Sequence, residues 1–192
     1  VSRMGVLTPV AHLQPVSVGG ATITHATLHN EQEINRKDIR VGDFVVLERS
    51  GDVIPKIIQV LTDRRTEVLR VFSLPDFCPS CQSPIDRTET QVAVRCLNTA
   101  CPAQMKQRII HFASRPAMEI EGLGPRIVDQ LVDAGLLRTA ADLYKLHKDT
   151  LLELEGFASK KATNLLQSIE ISKLTRPDRL LFGLGIPYVG QT

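Results

Sequence analysis

The sequence predicts a multi-domain α+β protein that consists of a small β-barrel, a four-cysteine zinc module and an all-α region, in that order. Three observations support this prediction. Runs of β-branched residues separated by glycine turns fill the first 75 residues, all four cysteines lie between positions 78 and 101, and helical periodicity follows. We therefore expect domain boundaries at 1–75, 76–108 and 109–192, with the last domain ending inside a third hairpin.

The composition suits a chain of several small domains. Its 192 residues are enough for two or three of them. Hydrophobic residues make up 43% and aromatic residues only 4%, so aliphatic side chains must fill the cores. The sequence contains no run of 18 apolar residues that would predict a membrane span. The first residues lack the apolar stretch of a signal peptide. Because the sequence does not begin with methionine, we expect a fragment of a longer protein.

Charge is balanced along the chain, with a formal net charge of +2. Lys plus Arg against Asp plus Glu number 9 and 9 over residues 1–77, 4 and 2 over 78–110, and 10 and 10 over 111–192. This pattern lacks the basic stripe that is typical of many nucleic-acid-binding domains. If the protein binds DNA, groups other than dense basic side chains must hold the phosphates.

The first part of the chain alternates in the manner of β-strands. Residues 5–26 predict a strand pair that turns at Gly19–Gly20, and residues 43–61 predict a second pair interrupted by a Ser-Gly-Asp turn. Between the pairs, Asn30 followed by Glu33 indicates the start of a short helix. Strands with one short helix in so small a region favour a closed barrel such as an OB-fold, a fold that commonly binds nucleic acids or oligosaccharides.

The cysteines have the spacing of a zinc site. Two residues separate the first pair, 14 residues follow, and four residues separate the second pair. The candidate ligands are Cys78, Cys81, Cys96 and Cys101. Zinc takes four thiolates at the corners of a tetrahedron and then has no open position for water, so the spacing favours a structural over a catalytic zinc. Two disulfides would suit a secreted chain, of which the sequence shows no sign.

The region around the cysteines gives two further expectations. Alternation between the two cysteine pairs predicts one strand over residues 85–96, with Thr90, Val92 and Val94 on one face. The Leu74–Pro75–Asp76 junction ahead of the module is a candidate hinge. We expect zinc to stabilise roughly 30 residues whose own core is too small to do so.

A repeat with an offset of 34 residues follows the cysteines. After an amphipathic helix at residues 103–115, an apolar turn ends in Gly122–Leu123–Gly124 and leads into another helix. The same pattern returns at Gly156–Phe157–Ala158, and a third begins near the end, with Gly190 where the next helix would start. Signatures of common solenoid repeats do not match, so the glycine corner is the constant feature.

A glycine corner followed by a helix is suited to bind phosphate. Glycine permits positive φ and close approach of the backbone, and the first N–H groups and the dipole of the next helix point at an anion. Arg126, Lys160 and Lys161 would add positive charge nearby. The alternative is a plain helical hairpin in which glycine only caps a helix. Two aligned corners and part of a third favour phosphate binding.

The order of barrel, four-cysteine module and helical hairpins resembles the C-terminal half of bacterial NAD-dependent DNA ligases, over the whole chain. The segments that carry the resemblance are VSRMGVLTPVA, ATLHN, RKDIRVGD, ERSGDVIPK, the four cysteines with CPAQ, EIEGLGPRIVDQL, LEGFASKKATNLL and LLFGLGIPYVGQT. In that family the three parts are an OB-fold, a zinc finger and a helix-hairpin-helix domain.

The resemblance implies a part in sealing nicks between a 5′-phosphate and a 3′-hydroxyl in duplex DNA, during replication and repair in the bacterial cytoplasm, at the nucleoid. The family forms a lysyl-adenylate from NAD at a Lys-x-Asp-Gly motif in an upstream nucleotidyltransferase domain. This sequence contains no such motif, and we expect it to lack that domain and the family's terminal BRCT module. Structural zinc is then expected here, NAD and Mg²⁺ only in the complete enzyme, and no catalysis by this chain alone. The expected partners are nicked duplex DNA and the nucleotidyltransferase domain, and no membrane.

Several residues match family positions that contact DNA. Arg3 matches an arginine near the nick. The loop of Arg49, Val53 and Ile54 matches one that presses on the minor groove, where apolar side chains widen the groove. With the corner positions deduced above, the candidate DNA-binding residues are Arg3, Arg49, Val53, Ile54, Gly122, Gly124, Gly156, Lys160 and Gly190.

The hairpin glycines show both agreement and departure. Gly124 and Gly190 match family glycines that approach the DNA backbone. Met4 stands where the family usually has threonine, which removes a hydroxyl contact. Ala158 stands where the family has glycine, and an alanine forced to positive φ there would be strained by about 1 kcal/mol or more.

The sequence leaves two alternatives. One is a stand-alone zinc and hairpin module that binds branched or nicked DNA without catalysis, and a Lys-x-Asp-Gly domain in the same protein would decide against it. The other is a protein-interaction scaffold whose zinc module docks a partner. The scaffold predicts no salt-dependent DNA binding, which a titration measures.

Overall fold

The computed structural model describes residues 1–48, 55–87 and 93–190. The chain forms two compact units, Val1–Asn98 and Thr99–Thr192. The first unit contains the strands and the second contains the longer helices. Within the described ranges, no helix is both long enough and apolar enough to cross a membrane.

The first unit is built on a curled four-stranded sheet. Its strands are β1 (Val10–Val18), β2 (Ala21–Thr27), β3 (Val45–Glu48) and β4 (Lys56–Val60), in the order β1-β2-β4-β3. β1 pairs antiparallel with β2 and β3 with β4, as the two predicted strand pairs require, while β2 and β4 meet in parallel. Gly19 and Gly20 have φ of +56° and +78°, which suits the tight turn between β1 and β2. In the described residues the sheet stays open between β1 and β3, so the predicted closed barrel is present as a half-barrel.

A short helix, α1 (Glu31–Arg36), follows β2 and closes one end of the core. The Asn30 side chain accepts a hydrogen bond from the Glu33 N–H at 2.8 Å, so the predicted helix start is confirmed. The Glu33 carboxylate binds Arg36 at 2.7 Å and Lys37 at 2.9 Å, and these hydrogen bonds lower its pKa to about 2. The buried core of this unit comprises Ala26, Leu28, Ile34, Ile39, Ile57 and Val60.

The segment after β4 is tied back to α1. It begins with a 3-10 turn at Thr62–Arg64. Further on, the Leu74 N–H donates to Glu31 Oε1 at 2.7 Å, and Arg87 donates to Glu31 Oε2 at 2.8 Å and to the Leu74 carbonyl at 2.5 Å. The backbone at the predicted hinge, residues 74–76, is therefore held by hydrogen bonds, because one carboxylate and one guanidinium bracket Leu74 from both sides.

The cysteine region forms a short hairpin. β5 (Ile85–Asp86) and β6 (Arg95–Cys96) pair antiparallel, with Ile85 opposite Cys96. The prediction of one strand over residues 85–96 is wrong, and Thr90 and Val92 lie outside the described residues. A 12-residue strand would carry the chain about 40 Å. The chain turns back instead, which lets the second cysteine pair face the first.

The second unit is helical. Its α-helices are α2 (Pro102–Ala113), α3 (Pro125–Asp133), α4 (Lys148–Leu152), α5 (Ser159–Ser172) and α6 (Pro177–Gly183), with a 3-10 helix at Ala140–Lys145 between α3 and α4. Proline occupies the first turn of α2, α3 and α6, where its missing N–H has no partner to lose. The predicted amphipathic helices are present. The core side chains of this unit include Ile109, Phe112, Leu123, Val128, Leu131, Leu137, Leu143, Leu151, Phe157, Ala162, Leu165 and Ile169.

Candidate metal centre and nucleic-acid interface

The four cysteine thiols converge into a single cluster. The sulfur atoms of Cys78, Cys81, Cys96 and Cys101 all lie within 4.8 Å of one another, and the Cys81 and Cys96 sulfurs are 3.5 Å apart. Four sulfurs at 2.3 Å from a zinc ion stand about 3.8 Å apart at tetrahedral corners, so the spacing fits zinc. Within the described part of the chain, no His, Asp or Glu joins this cluster. Such a closed set of soft ligands suits a structural metal rather than a catalytic one.

The first cysteine pair lies on a tight turn. The Cys78 N–H donates to the Ser83 carbonyl at 2.8 Å, and the Gln82 N–H donates to the Cys78 carbonyl at 2.9 Å. Gln82 has a φ of 56°, which reverses the chain within four residues. The turn places both thiols on one side. Hydrogen bonds from Ser83 lower the pKa of Cys81 to about 6, so this thiol favours the thiolate form that binds zinc.

The second cysteine pair is positioned by a strand and by a helix. Cys96 belongs to β6 and is buried. Cys101 immediately precedes α2, and its carbonyl accepts the Met105 N–H at 3.0 Å. The positive end of the α2 dipole therefore lies beside Cys101.

Arg3 lies in a turn that packs against β6. The Ser2 N–H donates to the Val6 carbonyl at 2.9 Å, and the Gly5 N–H donates to the Ser2 carbonyl at 3.0 Å. Arg3 is half-buried, whereas Met4 is 45% exposed at the tip. No pattern in the sequence points to the neighbour of this turn, because residues 5–7 pair with residues 94–96, almost ninety positions away.

The other barrel candidates, Arg49, Val53 and Ile54, lie outside the described residues. Glu48 and Lys56, which lie before and after these positions in the chain, are paired in register between β3 and β4. Their side chains form an ion pair at 3.0 Å.

The first glycine corner presents backbone to solvent and a side chain to the core. Gly122 has a φ of +81° and is exposed. Leu123 is buried, so the apolar residue between the glycines anchors the corner. Gly124 is the N-cap of α3, no side chain caps this helix, and a Cβ atom at Gly124 would meet nothing within 4 Å. Arg126 is exposed in the first turn of α3. The corner thus offers uncapped N–H groups and a cation on one surface.

The second corner repeats this geometry. Gly156 has a φ of +74°, Phe157 is buried and Ala158 is the N-cap of α5, which also has no side-chain cap. Ala158 has a φ of −82°, the same as Gly124, so the expected strain at this departure from the family is absent. The Lys161 amine donates to the Gly156 carbonyl at 3.2 Å and lies 4.2 Å from the Phe157 ring centre, while Lys160 is exposed.

The third corner is described only as far as Gly190. α6 ends at Gly183, and the chain turns at Gly185 and Tyr188, which have φ of +68° and 68°. Gly190 is exposed and is the last residue that the structure describes. The structure therefore brings Gly122, Gly124, Gly156 and Lys160 onto two equivalent corners.

These features define a class of protein: one in which a half-barrel sheet is followed directly in the chain by a four-thiol site that suits a metal ion. Comparison with known families is more specific. Residues 1–68 match the model of the NAD-dependent DNA ligase OB-fold domain, and residues 77–103 match that of the NAD-dependent DNA ligase C4 zinc finger domain. The chain therefore carries both of these NAD-dependent DNA ligase domains, in that order.

Curated relatives extend the similarity over the helical unit. The DNA ligase of Bacillus mycoides (strain KBAB4) is 53% identical over 190 residues, which is 99% of this chain and 28% of the relative. The DNA ligase of Halalkalibacterium halodurans is 53% identical over 191 residues, 100% of this chain and 29% of the relative. That of Bacillus thuringiensis (strain Al Hakam) is 52% identical over 190 residues. The chain thus spans somewhat more than a quarter of the length of these relatives.

Proposed function

We propose that this chain is the DNA-binding part of an NAD-dependent DNA ligase that seals 5′-phosphate/3′-hydroxyl nicks in duplex DNA. The observation that carries the proposal is the succession of two ligase-specific domains, at residues 1–68 and 77–103, in a chain that aligns along its whole length with proteins named DNA ligase. The sequence holds no Lys-x-Asp-Gly motif. Adenylation with NAD and Mg²⁺ therefore belongs to the complete enzyme, which acts in the bacterial cytoplasm.

The metal in this proposal is zinc with a structural role. The four thiol sulfurs lie within 4.8 Å of one another, and the family model describes a C4 zinc finger. Zinc bound there would cross-link a hairpin whose strands β5 and β6 have only two residues each. Strands that short do not persist without further support, so the metal would supply the stability that the small core does not.

The helical unit is proposed to be a helix-hairpin-helix domain that grips the DNA backbone. α3 and α5 both begin at an exposed corner without a side-chain cap, and helix N-termini of this kind bind phosphate. The corner backbone is accessible because the apolar residue, Leu123 or Phe157, is turned into the core. Arg126 and Lys160 are exposed beside the corners. This mode of binding needs few cations, which agrees with the balanced charge of residues 111–192.

The half-barrel is proposed to contact the DNA near the nick. Arg3 would neutralise a phosphate, and Arg49 with Val53 and Ile54 would press on the minor groove, as their match to the family suggests. Insertion of apolar side chains widens a minor groove and favours A-like geometry. Gly190 is proposed as a further backbone contact.

The proposal is tested by titrating the chain into labelled nicked and intact duplexes across a salt series. Phosphate contacts make log K fall linearly with log salt, by a slope proportional to the number of phosphates neutralised. We expect binding with a clear negative slope and a preference for the nicked duplex. A second assay adds the nucleotidyltransferase domain of a relative in trans, with NAD and Mg²⁺. That domain should seal nicks faster when this chain is present than when it is absent. Salt-independent or absent binding to both duplexes, with and without that domain, would contradict the proposal and favour the scaffold.

A further inference from the structure

We propose that zinc in the four-thiol site fixes the conformation of the Arg3 turn, residues 2–5, so that the metal controls a DNA-contacting element to which it is not bonded. The coupling runs through main-chain hydrogen bonds between residues 5–7 and β6. The part of this inference that concerns DNA rests on the proposed function. The part that concerns zinc and the turn stands on the geometry of the first unit alone.

The link between the turn and the metal site is a short antiparallel pairing. The Leu7 N–H donates to the Val94 carbonyl at 2.9 Å, and the Cys96 N–H donates to the Gly5 carbonyl at 2.9 Å. These two bonds flank the bridge between Val6 and Arg95. Cys96 therefore serves two elements at once: its sulfur joins the metal cluster and its N–H holds the turn.

The Arg3 turn is closed on its other side by Ser2. The Ser2 hydroxyl accepts the Val6 N–H at 3.1 Å, and the Ser2 carbonyl accepts the Gly5 N–H at 3.0 Å. Gly5 is buried and has a φ of +80°, so the turn depends on a backbone conformation that other residues adopt at a cost. Ser2 and β6 together determine where Arg3 lies, and β6 is the support that lies outside the turn.

β6 itself depends on the metal. It has two residues and pairs with β5, which also has two. With the four thiols bound to one ion, β6 is fixed to the knuckle at Cys78 and Cys81. Without the ion, a two-residue pairing has little to keep it in register. The half-barrel has its own buried core, which includes Ile34 and Ile57, so the loss should be local to residues 2–7 and 94–96.

Because the coupling between zinc binding and the turn is reciprocal, it can be measured as the effect of zinc on the turn or as the effect of the turn on zinc affinity. If zinc stabilises the turn, then strain placed in the turn must weaken zinc binding by the same factor. Gly5→Ala places such strain without touching a cysteine. Gly20→Ala is a matched control, because Gly20 has nearly the same φ of +78° and lies in the β1–β2 turn, where a Cβ would meet nothing within 4 Å.

The first experiment is amide hydrogen exchange on the full chain, with zinc bound and after removal by a chelator. We expect the Leu7 and Cys96 amides to exchange at least about tenfold faster without zinc, while the β4 amides change little. Unchanged protection of the Leu7 amide after zinc loss would overturn the inference. If the β4 amides lost protection together with the Leu7 amide, the effect of zinc removal would not be local to the turn, and the inference would also fail.

The second experiment measures zinc affinity by competition with a chromophoric chelator. Both variants should bind one zinc per chain, but Gly5→Ala about fivefold more weakly than Gly20→Ala. Equal affinities would contradict the coupling. A DNA titration then separates the two proposals: Gly5→Ala should weaken binding in the original chain and have no added effect together with Arg3→Ala. If Arg3→Ala alone binds DNA normally, the proposed contact fails while the zinc and exchange results still stand.

Discussion

Asp43 shows how a single buried carboxylate organises the half-barrel. Its side chain is only 1% exposed, and Arg65 donates two hydrogen bonds to it, at 2.7 and 2.8 Å. The Arg40 N–H adds a third at 2.7 Å. Every oxygen of this carboxylate is therefore satisfied, which is the condition under which a buried charge is tolerated.

Replacement of Asp43 by alanine should destabilise the first unit strongly. The change leaves the Arg65 guanidinium, itself only 16% exposed, without its main partner. Among the described residues, Arg65 then keeps only Asp38, whose carboxylate it also contacts at 2.6 Å, so the free energy of unfolding should fall clearly more than in an exposed control. Urea denaturation measures the change, and Asp63→Ala, at an exposed position, is the control with an expected effect within about 0.5 kcal/mol. Similar losses in the two variants would contradict this reading of the site.

The same residue predicts a pH dependence. Hydrogen bonds from Arg65 hold the pKa of Asp43 below its ordinary value. A carboxyl with a lowered folded-state pKa stabilises the fold fully at a pH above its unfolded-state pKa, which is about 3.9 for Asp. This contribution is lost as the pH falls through the folded-state pKa. Melting temperatures at about pH 5, 4 and 3 should therefore drop less steeply for Asp43→Ala than for the original chain. Parallel curves would show that Asp43 carries none of the acid sensitivity.

At the scale of elements, the two helical corners separate the roles of their glycines. Gly122 and Gly156 have φ of +81° and +74°, whereas the N-cap positions Gly124 and Ala158 both have φ of −82°. Only the first position of each corner therefore requires glycine on conformational grounds. Glycine at the N-cap matters for how closely a ligand can approach the backbone, which is a separate property.

This separation gives a prediction for four single variants. Gly122→Ala and Gly156→Ala should each destabilise the helical unit by about 1 kcal/mol, because alanine is strained at positive φ. Gly124→Ala and Ala158→Gly should change stability by less than about 0.5 kcal/mol. Thermal or urea unfolding provides the measurement. A Gly124→Ala loss as large as that of Gly122→Ala would show that the corner is held differently.

Local elements could be predicted from the sequence more reliably than the distant segments with which they pair. The strand pairs, the Asn30 cap and the repeated corners depend on neighbouring residues, and each is present. The single strand over residues 85–96 was wrong, because closure of the metal site, a constraint from distant residues, overrides local alternation. Which glycine takes positive φ could not be read from the spacing either, so the concern about Ala158 was misplaced. Neither segment contains a sequence pattern that predicts the pairing of residues 5–7 with β6.

At the scale of the whole molecule, the zinc site should determine whether the cysteine region folds. Replacing Cys78 or Cys101 with serine removes one of four ligands, so zinc should be lost and the middle of the chain should unfold. Metal analysis of the purified chain and thermal melting provide the two readouts. Retention of one zinc per chain with unchanged melting in both variants would contradict a four-thiolate structural site. Ser80→Ala, which keeps all four thiols, is the control.

The resemblance to one family also depends on the whole chain. Four cysteines alone are compatible with many proteins, and a half-barrel with many ligands. Their order, together with the glycine corners, is what resembled one family in the sequence, and the matches at residues 1–68 and 77–103 agree. The order of the OB-fold and zinc-finger domains was therefore predictable. The contacts of Arg3 were not, because they depend on a pairing between distant segments.

The most direct test of the central claim, that helix N-termini at the glycine corners hold DNA phosphates, is a binding titration of a Gly124→Asp, Gly190→Asp double variant. The carboxylates repel phosphate at the corner backbone, and Gly124 has space for a side chain, so the fold should persist. A Gln107→Glu, Ala141→Asp chain adds the same charge at exposed positions on the helical unit. On nicked duplex at moderate salt, the glycine variant should bind at least about tenfold more weakly than this control and show a shallower salt slope. Equal affinities and slopes for the two variants would contradict it.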